Sequence, residues 1–444
     1  DEIPFELPEG WEWTRLQAIC EPITDGTHKT PTYSDEGFIF LSSKNVTSGH
    51  IDWDNIMYIP ESLHNELYAR LAPQKNDILL AKNGTTGVAA IVDRDCIFDI
   101  YVSLALLRII GYIISPEYLL STIASSTIQN YFNSSLKGIG VPNLHLEHIR
   151  TTLIPVAPIN EQYRIATKLE QLLSFADNIE SDKTDLQTTI QLTKSKILDL
   201  AIRGKLVPQN PDDEPANVLL DRIRAEKEGL IKQGKIKRDK KESVIFKGDD
   251  NSYYLRMGNL IETLDDWRIN DIPYSWGICC LGEVCDYGNC TNVDTKDIPK
   301  TAWILDLEDI EKDTGKVSQK LTLKERNSAS TKHSFHKGQV LYSKLRPYLN
   351  KVVLVDDDGY CTSEILPLDF NKYILPEYAK YYLMSPTFLR YANHCSYGVK
   401  MPRLGTLDGR KAVLIVPPVN EQKRIADKVS QLFSLLDSIA DNVN

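Results

Sequence analysis

The amino-acid sequence predicts a mixed α/β fold (α+β) in which two similar globular domains are joined by long helices. Three observations support this prediction: an internal repeat, short apolar runs typical of strands, and apolar residues at heptad spacing. A chain of 444 residues is too long for one compact core. No run of eighteen apolar residues occurs, so we expect no membrane span.

The repeat is clearest in two segments that begin with Pro-x-Asn-Glu-Gln. Residues 158–179 and 418–439 share 13 of 22 residues at a constant offset of 260. The same offset aligns Pro116-Glu-Tyr with Pro376-Glu-Tyr. Near the start of each copy the offset is 265, which indicates loop deletions in the second copy. The chain therefore alternates a globular unit with a helix, twice.

This alternation gives four predicted segments. They are a first globular domain, a central helical spacer with a basic linker, a second globular domain and a C-terminal coiled-coil helix, at residues 1–157, 158–250, 251–417 and 418–444. By the 260 offset, Asn444 matches Thr184 in the middle of the first helix, so we expect the second helix to be truncated.

Short apolar runs inside each globular unit predict strands of a largely antiparallel sheet. They are residues 38–41, 77–81 and 88–92 in the first copy, and 339–343 and 351–355 in the second. A helix is expected after Pro116 and after Pro376, because proline at the first helical turn presets φ.

The helix after Pro158 carries apolar residues in alternating steps of four and three, which is typical of a coiled-coil seam. With Asn160 as its cap and Gly204 as its end, the helix would be about 66 Å long. Two ordinary core helices are the alternative. The predicted seam residues are Ile165, Leu169, Leu172, Ile179, Leu186, Ile190, Ile197 and Leu200 in the first helix, and Ile425, Val429, Leu432, Leu436 and Ile439 in the second.

Charge and cysteine content exclude several classes of protein. A net charge of −10 argues against coating DNA by bulk electrostatics, although local basic loops remain compatible with reading it. The basic run at 232–241 is either a solvated linker or a contact with nucleic acid or an acidic partner. Eight cysteines without a Cys-x-x-Cys pair predict buried thiols in a reducing cytoplasm, with no metal site and no cofactor.

Catalytic motifs are not found in the sequence. There is no Asn/Asp-Pro-Pro-Tyr loop for amino methylation and no phosphate-binding loop for ATP hydrolysis. No Ser-His-Asp or His-Glu-x-x-His arrangement is present either. Together with the repeat, this pattern favours a binding protein without a catalytic site.

The doubled Pro-x-Asn-Glu-Gln helix entry resembles the specificity (S) subunits of Type I restriction–modification enzymes. So do Leu7-Pro-Glu-Gly-Trp-Glu-Trp, Thr24-Asp-Gly-Thr-His-Lys-Thr-Pro, Lys344-Leu-Arg-Pro-Tyr-Leu-Asn-Lys, and the stretch from Gly204 to Lys227. The resemblance covers nearly the whole chain.

The resemblance implies a function. Each globular unit would be a target recognition domain that reads one half of a split sequence in double-stranded DNA. The two helices, expected to run antiparallel, would fix the gap and hold two adenine methyltransferase (M) subunits, which restriction (R) subunits then join. A self-sufficient DNA-modifying enzyme, or a coiled-coil adaptor that binds only proteins, are the alternatives.

DNA reading needs cations and amides on loops, and three places per copy supply them. The first two places have a plain turn or a surface hairpin as the alternative, and on a strand Lys344 and Arg346, two positions apart, would point the same way. The third place has the acidic segment 306–309 as a rough counterpart of Lys44, and its carboxylates could accept a hydrogen bond from cytosine N4. The loops 138–142 and 398–402 recur in both copies, so we assign them to structure or to docking at the helix junction. The candidate DNA-binding residues are Thr27, His28, Lys29, Lys44, Asn45, Lys82 and Asn83 in the first copy, and Tyr287, Asn289, Lys344, Arg346 and Tyr348 in the second.

Overall fold

The computed structural model describes residues 3–136, 142–236, 243–250, 252–264, 272–370 and 372–442. The chain divides into two compact units, Asp1–Ser181 and Asp182–Asn444. The division falls inside one continuous helix, Ile159–Ile202, so the second half of that helix belongs to the second unit. The four predicted segment boundaries stay a prediction.

The first unit contains nine strands and six helices among its described residues. In chain order they are β1 (Glu12–Arg15), α1 (Leu16–Ile19), β2 (Cys20–Asp25), β3 (Phe38–Leu41), β4 (Met57–Ile59), α2 (Glu61–Arg70), β5 (Ile78–Ala81), β6 (Ala89–Ile91), β7 (Phe98–Ile100), β8 (Leu104–Ile109), α3 (Pro116–Ala124), α4 (Ser126–Ser134), α5 (Leu146–Thr151), β9 (Leu153–Val156) and α6 (Ile159–Ile202), which continues into the second unit.

Three sheets build the first unit. An antiparallel sheet has the order β2-β8-β5-β6, and β1 pairs with β9. In the third sheet, β3 lies between β4, which is antiparallel to it, and β7, which is parallel. One core packs α3, α4 and α5 against the four-stranded sheet, and a second core lies between that sheet and β3 and β7.

The second unit adds thirteen strands and seven further helices among its described residues. They are α7 (Ala216–Lys232), β10 (Ser243–Lys247), β11 (Tyr253–Met257), β12 (Leu260–Thr263), β13 (Gly277–Cys280), α8 (Leu281–Val284), β14 (Asn292–Val293), β15 (Trp303–Leu305), β16 (Leu321–Thr322), α9 (Leu323–Arg326), β17 (Lys332–Phe335), β18 (Val340–Ser343), β19 (Val352–Leu354), β20 (Gly359–Thr362), β21 (Ile365–Leu368), α10 (Pro376–Met384), α11 (Pro386–His394), α12 (Thr406–Lys411), β22 (Val413–Val416) and α13 (Val419–Asp441).

The strand pairing of the first unit recurs in the second. The pair β13-β22 repeats β1-β9, and β19-β18-β21 repeats β6-β5-β8. The parallel pair β15-β20 repeats β3-β7, with β16 in the place of β4. The prediction of a mixed fold with two related units is therefore confirmed.

The predicted strands lie where the apolar runs placed them, within one residue at each end. Sequence reasoning missed the antiparallel meander β10-β11-β12, because every residue of β12 is exposed, β11 has a single buried residue, and no long apolar run marks them. Part of the basic run, residues 237–241, lies outside the described residues.

A buried glutamine fixes the entry of each long helix. Gln162 accepts a hydrogen bond from the Ser115 N–H (2.9 Å) and donates to the carbonyls of Ile113 (2.9 Å) and Ala157 (2.8 Å). It is fully buried. A buried amide costs free energy unless its donors and acceptor are satisfied, and here all are used.

Gln422 repeats this anchor in the second unit. It accepts from the Leu375 N–H (2.9 Å) and donates to the carbonyls of Tyr373 (3.1 Å) and Pro417 (3.0 Å). The glutamine of each Pro-x-Asn-Glu-Gln motif therefore ties a long helix to the start of the Pro-Glu-Tyr helix.

Within the second unit, α13 runs antiparallel to the second half of α6. Lys194 on α6 pairs with Asp437 near the end of α13. Asp213, which follows α6, pairs with Arg424 near the start of α13 at 2.6 Å. The contacts thus run in opposite chain directions along the two helices. Buried residues of the shared core are Ile197, Leu198, Ala201, Ile425, Ala426, Val429 and Phe433. Ile190 of α6 is buried as well.

The other predicted seam residues are more accessible. In the first unit, Ile165 packs partly against the core, whereas Leu169, Leu172 and Ile179 are 38–51% exposed. In the second unit, Ile439 is 46% exposed. The part-buried members are Leu186, Leu200, Leu432 and Leu436.

We expect Gln162→Met to lower the free energy of unfolding by about 2–4 kcal/mol, since a buried N–H and two carbonyls lose their partner. Chemical denaturation of the full chain measures the loss. Gln191→Met, at an exposed position of the same helix, is the control and should change stability by less than about 0.5 kcal/mol. Equal stability of the two variants would contradict the anchor.

Candidate nucleic-acid interface

The loop after β18 pairs with the segment before α12. The Arg346 N–H donates to the Pro402 carbonyl at 2.7 Å, and the Leu404 N–H donates to the Lys344 carbonyl at 3.0 Å. Main-chain atoms alone make this junction. Residues 344–346 and 402–404 are called the loop pair below.

The first unit contains the same loop pair at residues 82–84 and 142–144. The Gly84 N–H donates to the Pro142 carbonyl at 3.1 Å, and the Leu144 N–H donates to the Lys82 carbonyl at 2.7 Å. A third bond also recurs, because the N–H of Lys82 and that of Lys344 each donate to the strand region before β8 or β21, at Ser103 and Glu364. The backbone framework is shared, and the side chains on it differ.

The expectation that Lys344 and Arg346 lie on a strand and point the same way is wrong. The strand β18 ends at Ser343, and Arg346 has a left-handed backbone with φ of 49°. Gly84, at the matching place in the first unit, also has a positive φ, 78°. A non-glycine residue in this conformation costs about 1–2 kcal/mol. Strained backbone of this kind is concentrated at functional sites.

The first segment of the loop pair in the second unit, residues 344–346, carries two cations. Lys344 and Arg346 are part-exposed, and neither forms an ion pair with a residue that the structure describes. The exposed Tyr348 follows in a 3₁₀ turn that begins directly after Arg346. Such cations are available for a polyanionic ligand.

Glu364 and Arg403 brace the loop pair from the side. Arg403 donates to both carboxylate oxygens of Glu364, with Nη2 to Oε1 at 2.8 Å and Nε to Oε2 at 3.1 Å. These hydrogen bonds lower the pKa of Glu364 below its usual range. The sequence reasoning missed both residues, because they are 39 positions apart and only the strand pairing brings them together.

Lys82 has a different environment from its counterpart Lys344. Its ammonium lies 3.2 Å from the carboxylate of Asp25, and both side chains are over nine-tenths buried. Arg70 donates to the carbonyl of the same aspartate. Lys82 therefore joins β2 to β5 inside the fold and offers little charge to the surface. Its neighbour Asn83 is part-buried and pairs with Asn143 through the backbone.

The first predicted loop, Thr27-His28-Lys29, lies beside Tyr101. The Thr27 N–H donates to the Ile100 carbonyl at 3.1 Å, while His28 and Lys29 are at or near the surface. Gly26 is required here, since a Cβ would lie 2.0 Å from the Ile100 oxygen. The close approach of two backbones holds the basic tip in place.

The third predicted place is a 3₁₀ turn in both units. Asn45 is buried, and its Oδ1 accepts from the Ser42 N–H at 2.9 Å, so the amide serves the turn while Lys44 stays exposed. In the second unit, Asp309 accepts from the Asp306 N–H at 2.7 Å.

The suggestion that acidic side chains of 306–309 accept from cytosine does not hold for Asp309. It is fully buried, pairs with Arg326 and accepts from Gln319 at 2.9 Å. A carboxylate whose oxygens are already used inside the fold has nothing left for a base.

Tyr287 is a further correction. The tyrosine is fully buried in the core of the second unit, where Gly409 leaves room for its ring, since a Cβ there would lie 2.0 Å from the ring. A core side chain does not reach a ligand at the surface. Asn289, two residues later, is exposed and lines a cavity of about 530 Å³ with Asp286 and Asp369.

No cluster of His, Cys, Asp and Glu side chains among the described residues has the arrangement of a metal site. Within the same part of the chain, no helix combines the length and apolar character that crossing a membrane requires.

Two repeated α+β units, each with a loop pair before a short helix and with a glutamine-anchored long helix, define a class of proteins with duplicated domains. The sequence matches the family of the Type I restriction modification DNA specificity domain at residues 8–187 and again at 273–443. The chain belongs to this family.

Named relatives are consistent with the match. The chain is 26% identical to the Type I restriction enzyme EcoDI specificity subunit of Escherichia coli, over 69% of this chain and 61% of the relative. It is 28% identical to the EcoAI specificity subunit of the same organism, over 65% and 53%. The chain thus spans between about half and three fifths of the length of these two relatives.

Solved structures share the fold over nearly the whole chain. The crystal structure of the HsdS subunit from Thermoanaerobacter tengcongensis has a TM-score of 0.53 at 17% identity, covering 99% of this chain and 93% of that one. A chain from a structural study of type I R-M complex assembly and conformational transition has a TM-score of 0.57, also at 17% identity, covering 99% and 94%. At these identities the likeness concerns the fold.

We expect Lys82→Met to lower the free energy of unfolding by about 3 kcal/mol, because Asp25 keeps a buried charge without its partner. Thermal or urea unfolding measures the change. The matched control is Lys44→Met, which removes an exposed cation and should cost less than about 0.5 kcal/mol. If Lys82→Met left the free energy of unfolding unchanged, this lysine would not have the structural role that we assign to it.

Proposed function

We propose that this chain is the DNA-recognition subunit of a Type I restriction–modification complex and that each unit reads one half of a split target in double-stranded DNA. The observation that carries this proposal is the loop pair. It occurs once per unit on the same main-chain hydrogen bonds, yet presents different side chains.

A reader of two different half-sequences needs this combination. A common backbone brings both loops to the same place in each domain, and the side chains on it determine which base edges are recognised. The first unit has Asn83, Gly84 and Asn143 where the second has Leu345, Arg346 and Arg403. The two halves of the target would therefore differ in sequence.

The second unit has the better-defined reading side chains. Arg346 can take guanine O6 and N7 together, and Lys344 supplies a point charge beside it. In the first unit, His28, Lys29 and Lys44 are the candidates at the surface, since Lys82 and Asn45 are engaged inside the fold.

Other subunits of the complex would catalyse the methylation and restriction reactions. The exposed apolar positions of α6 in the first unit, among them Leu172 and Ile179, suit a protein surface, and we assign them to two adenine methyltransferase subunits. Restriction subunits would join that core. None of the eight cysteines forms a disulfide bond in the structure, which suits work in a reducing cytoplasm.

Substitution of the side chains that we propose to read bases tests the proposal. In cells that carry the methyltransferase subunits, we expect Lys344→Ala with Arg346→Gly to relax or abolish selectivity at one half of the methylated sequence. A base-specific arginine contact is worth about 1–3 kcal/mol. Glycine is the suitable replacement for Arg346, because the first unit has Gly84 in the same left-handed conformation. Genome-wide mapping of methylated adenines is the measurement.

The variant for the first unit is Lys29→Ala, which should reduce selectivity only at the other half of the target. Loss of selectivity at both halves from either variant would contradict separate reading. Failure of the wild-type complex to methylate any split sequence would contradict the proposed function itself.

A further inference from the structure

The second half of the loop pair belongs to a hairpin that projects from the second unit. Tyr397 and Arg403 exchange two main-chain hydrogen bonds, at 3.1 and 2.9 Å, and Gly398 turns the chain with φ of 100°. Residues 397–403 are called the tip hairpin below. The matching residues 137–141 of the first unit lie outside the described part of the chain.

The tip hairpin is unusually exposed for its composition. Val399 is 100% exposed, Tyr397 63% and Met401 44%. Lys400 is also exposed and has no ion-pair partner among the described residues. An apolar tip with one free cation is a costly arrangement for a surface that touches only water, which indicates a contact partner.

Its position beside Arg346 identifies the partner. The Pro402 carbonyl accepts from the Arg346 N–H, so the tip hairpin continues the surface that carries Lys344 and Arg346. Arg403 is neutralised by Glu364. Lys344, Arg346 and Lys400 then remain as three cations that no acidic side chain in the described part of the chain pairs with, on a chain whose net charge is −10. A local basic surface on an acidic protein is complementary to a polyanion.

We propose that the tip hairpin holds the DNA backbone, with Lys400 on a phosphate, while the neighbouring loop after β18 reads bases. The inference rests on the proposed function, and within it assigns phosphate contact and base reading to two different segments. Gly398 and Pro402 recur as Gly138 and Pro142 in the first copy, whereas Lys400 is matched by Gly140. The two residues that shape the hairpin are therefore common to both copies, and the phosphate contact assigned to Lys400 belongs to the second unit.

The earlier assignment of residues 398–402 to the helix junction gains no support from these contacts. Apart from the hydrogen bonds inside the hairpin, its main-chain partners lie on the loop after β18.

Salt-dependent binding tests the inference. For the chain assembled with its methyltransferase subunits, Lys400→Gln should weaken binding about fivefold at 0.15 M salt, equally for a cognate duplex and a scrambled one. The slope of log K against log salt should fall in magnitude by about 1. Fluorescence anisotropy of labelled duplexes gives both quantities, and Lys400→Arg should restore them.

The matched control is Lys372→Gln, which removes the same charge from a side chain held by Glu226 on α7. It should leave the salt slope unchanged. An unchanged slope for Lys400→Gln in a complex that still methylates a split sequence would overturn the inference and leave the proposed function standing. Loss of subunit assembly with normal DNA binding would make the tip hairpin a protein contact and overturn it as well.

Discussion

The fold of each unit depends on one buried amide. Gln162 and Gln422, both fully buried, each satisfy an N–H and two carbonyls, and by doing so they set the direction in which α6 and α13 leave their domains. A buried polar group must be paired completely or it costs stability, so the geometry around each glutamine is nearly fixed. The tyrosine of each Pro-Glu-Tyr helix completes the arrangement, because Tyr118 and Tyr378 donate to carbonyls of β9 and β22.

Much of the fold could be predicted from the sequence, since the features involved are local or repeated. The heptad spacing after Pro158 marks a helix whatever surrounds it, and the 260-residue offset shows that two units share one fold. The glutamine anchor is visible as an identity between copies, but its role is not. Its partners lie 47 positions away, at Ser115 and Leu375, and only the folded chain brings them to it.

The candidate site was harder to predict, because burial decides what a charged side chain does. Lys82 and Lys344 occupy matching places after matching strands, yet Asp25 holds the first inside the fold and nothing described holds the second. Tyr287 and Asp309 suit a DNA contact by residue type, and both are fully buried. Sequence pattern identifies the loops, whereas the direction of each side chain comes from strand pairing distant in the chain.

The loop pair separates the part of the site that must stay constant from the part that can change. The hydrogen bonds between its two segments join main-chain atoms only, so a new side chain other than proline at position 345 or 346 leaves each of them intact. The left-handed conformation at Gly84 and Arg346 destabilises the fold by a similar free energy for any non-glycine residue. Among the residues that are not β-branched, the choice of side chain then changes the backbone energy little. Substitutions there can accumulate with little selection from folding. A family built on this framework can change the side chains presented at these positions by point mutation, without having to evolve a new fold.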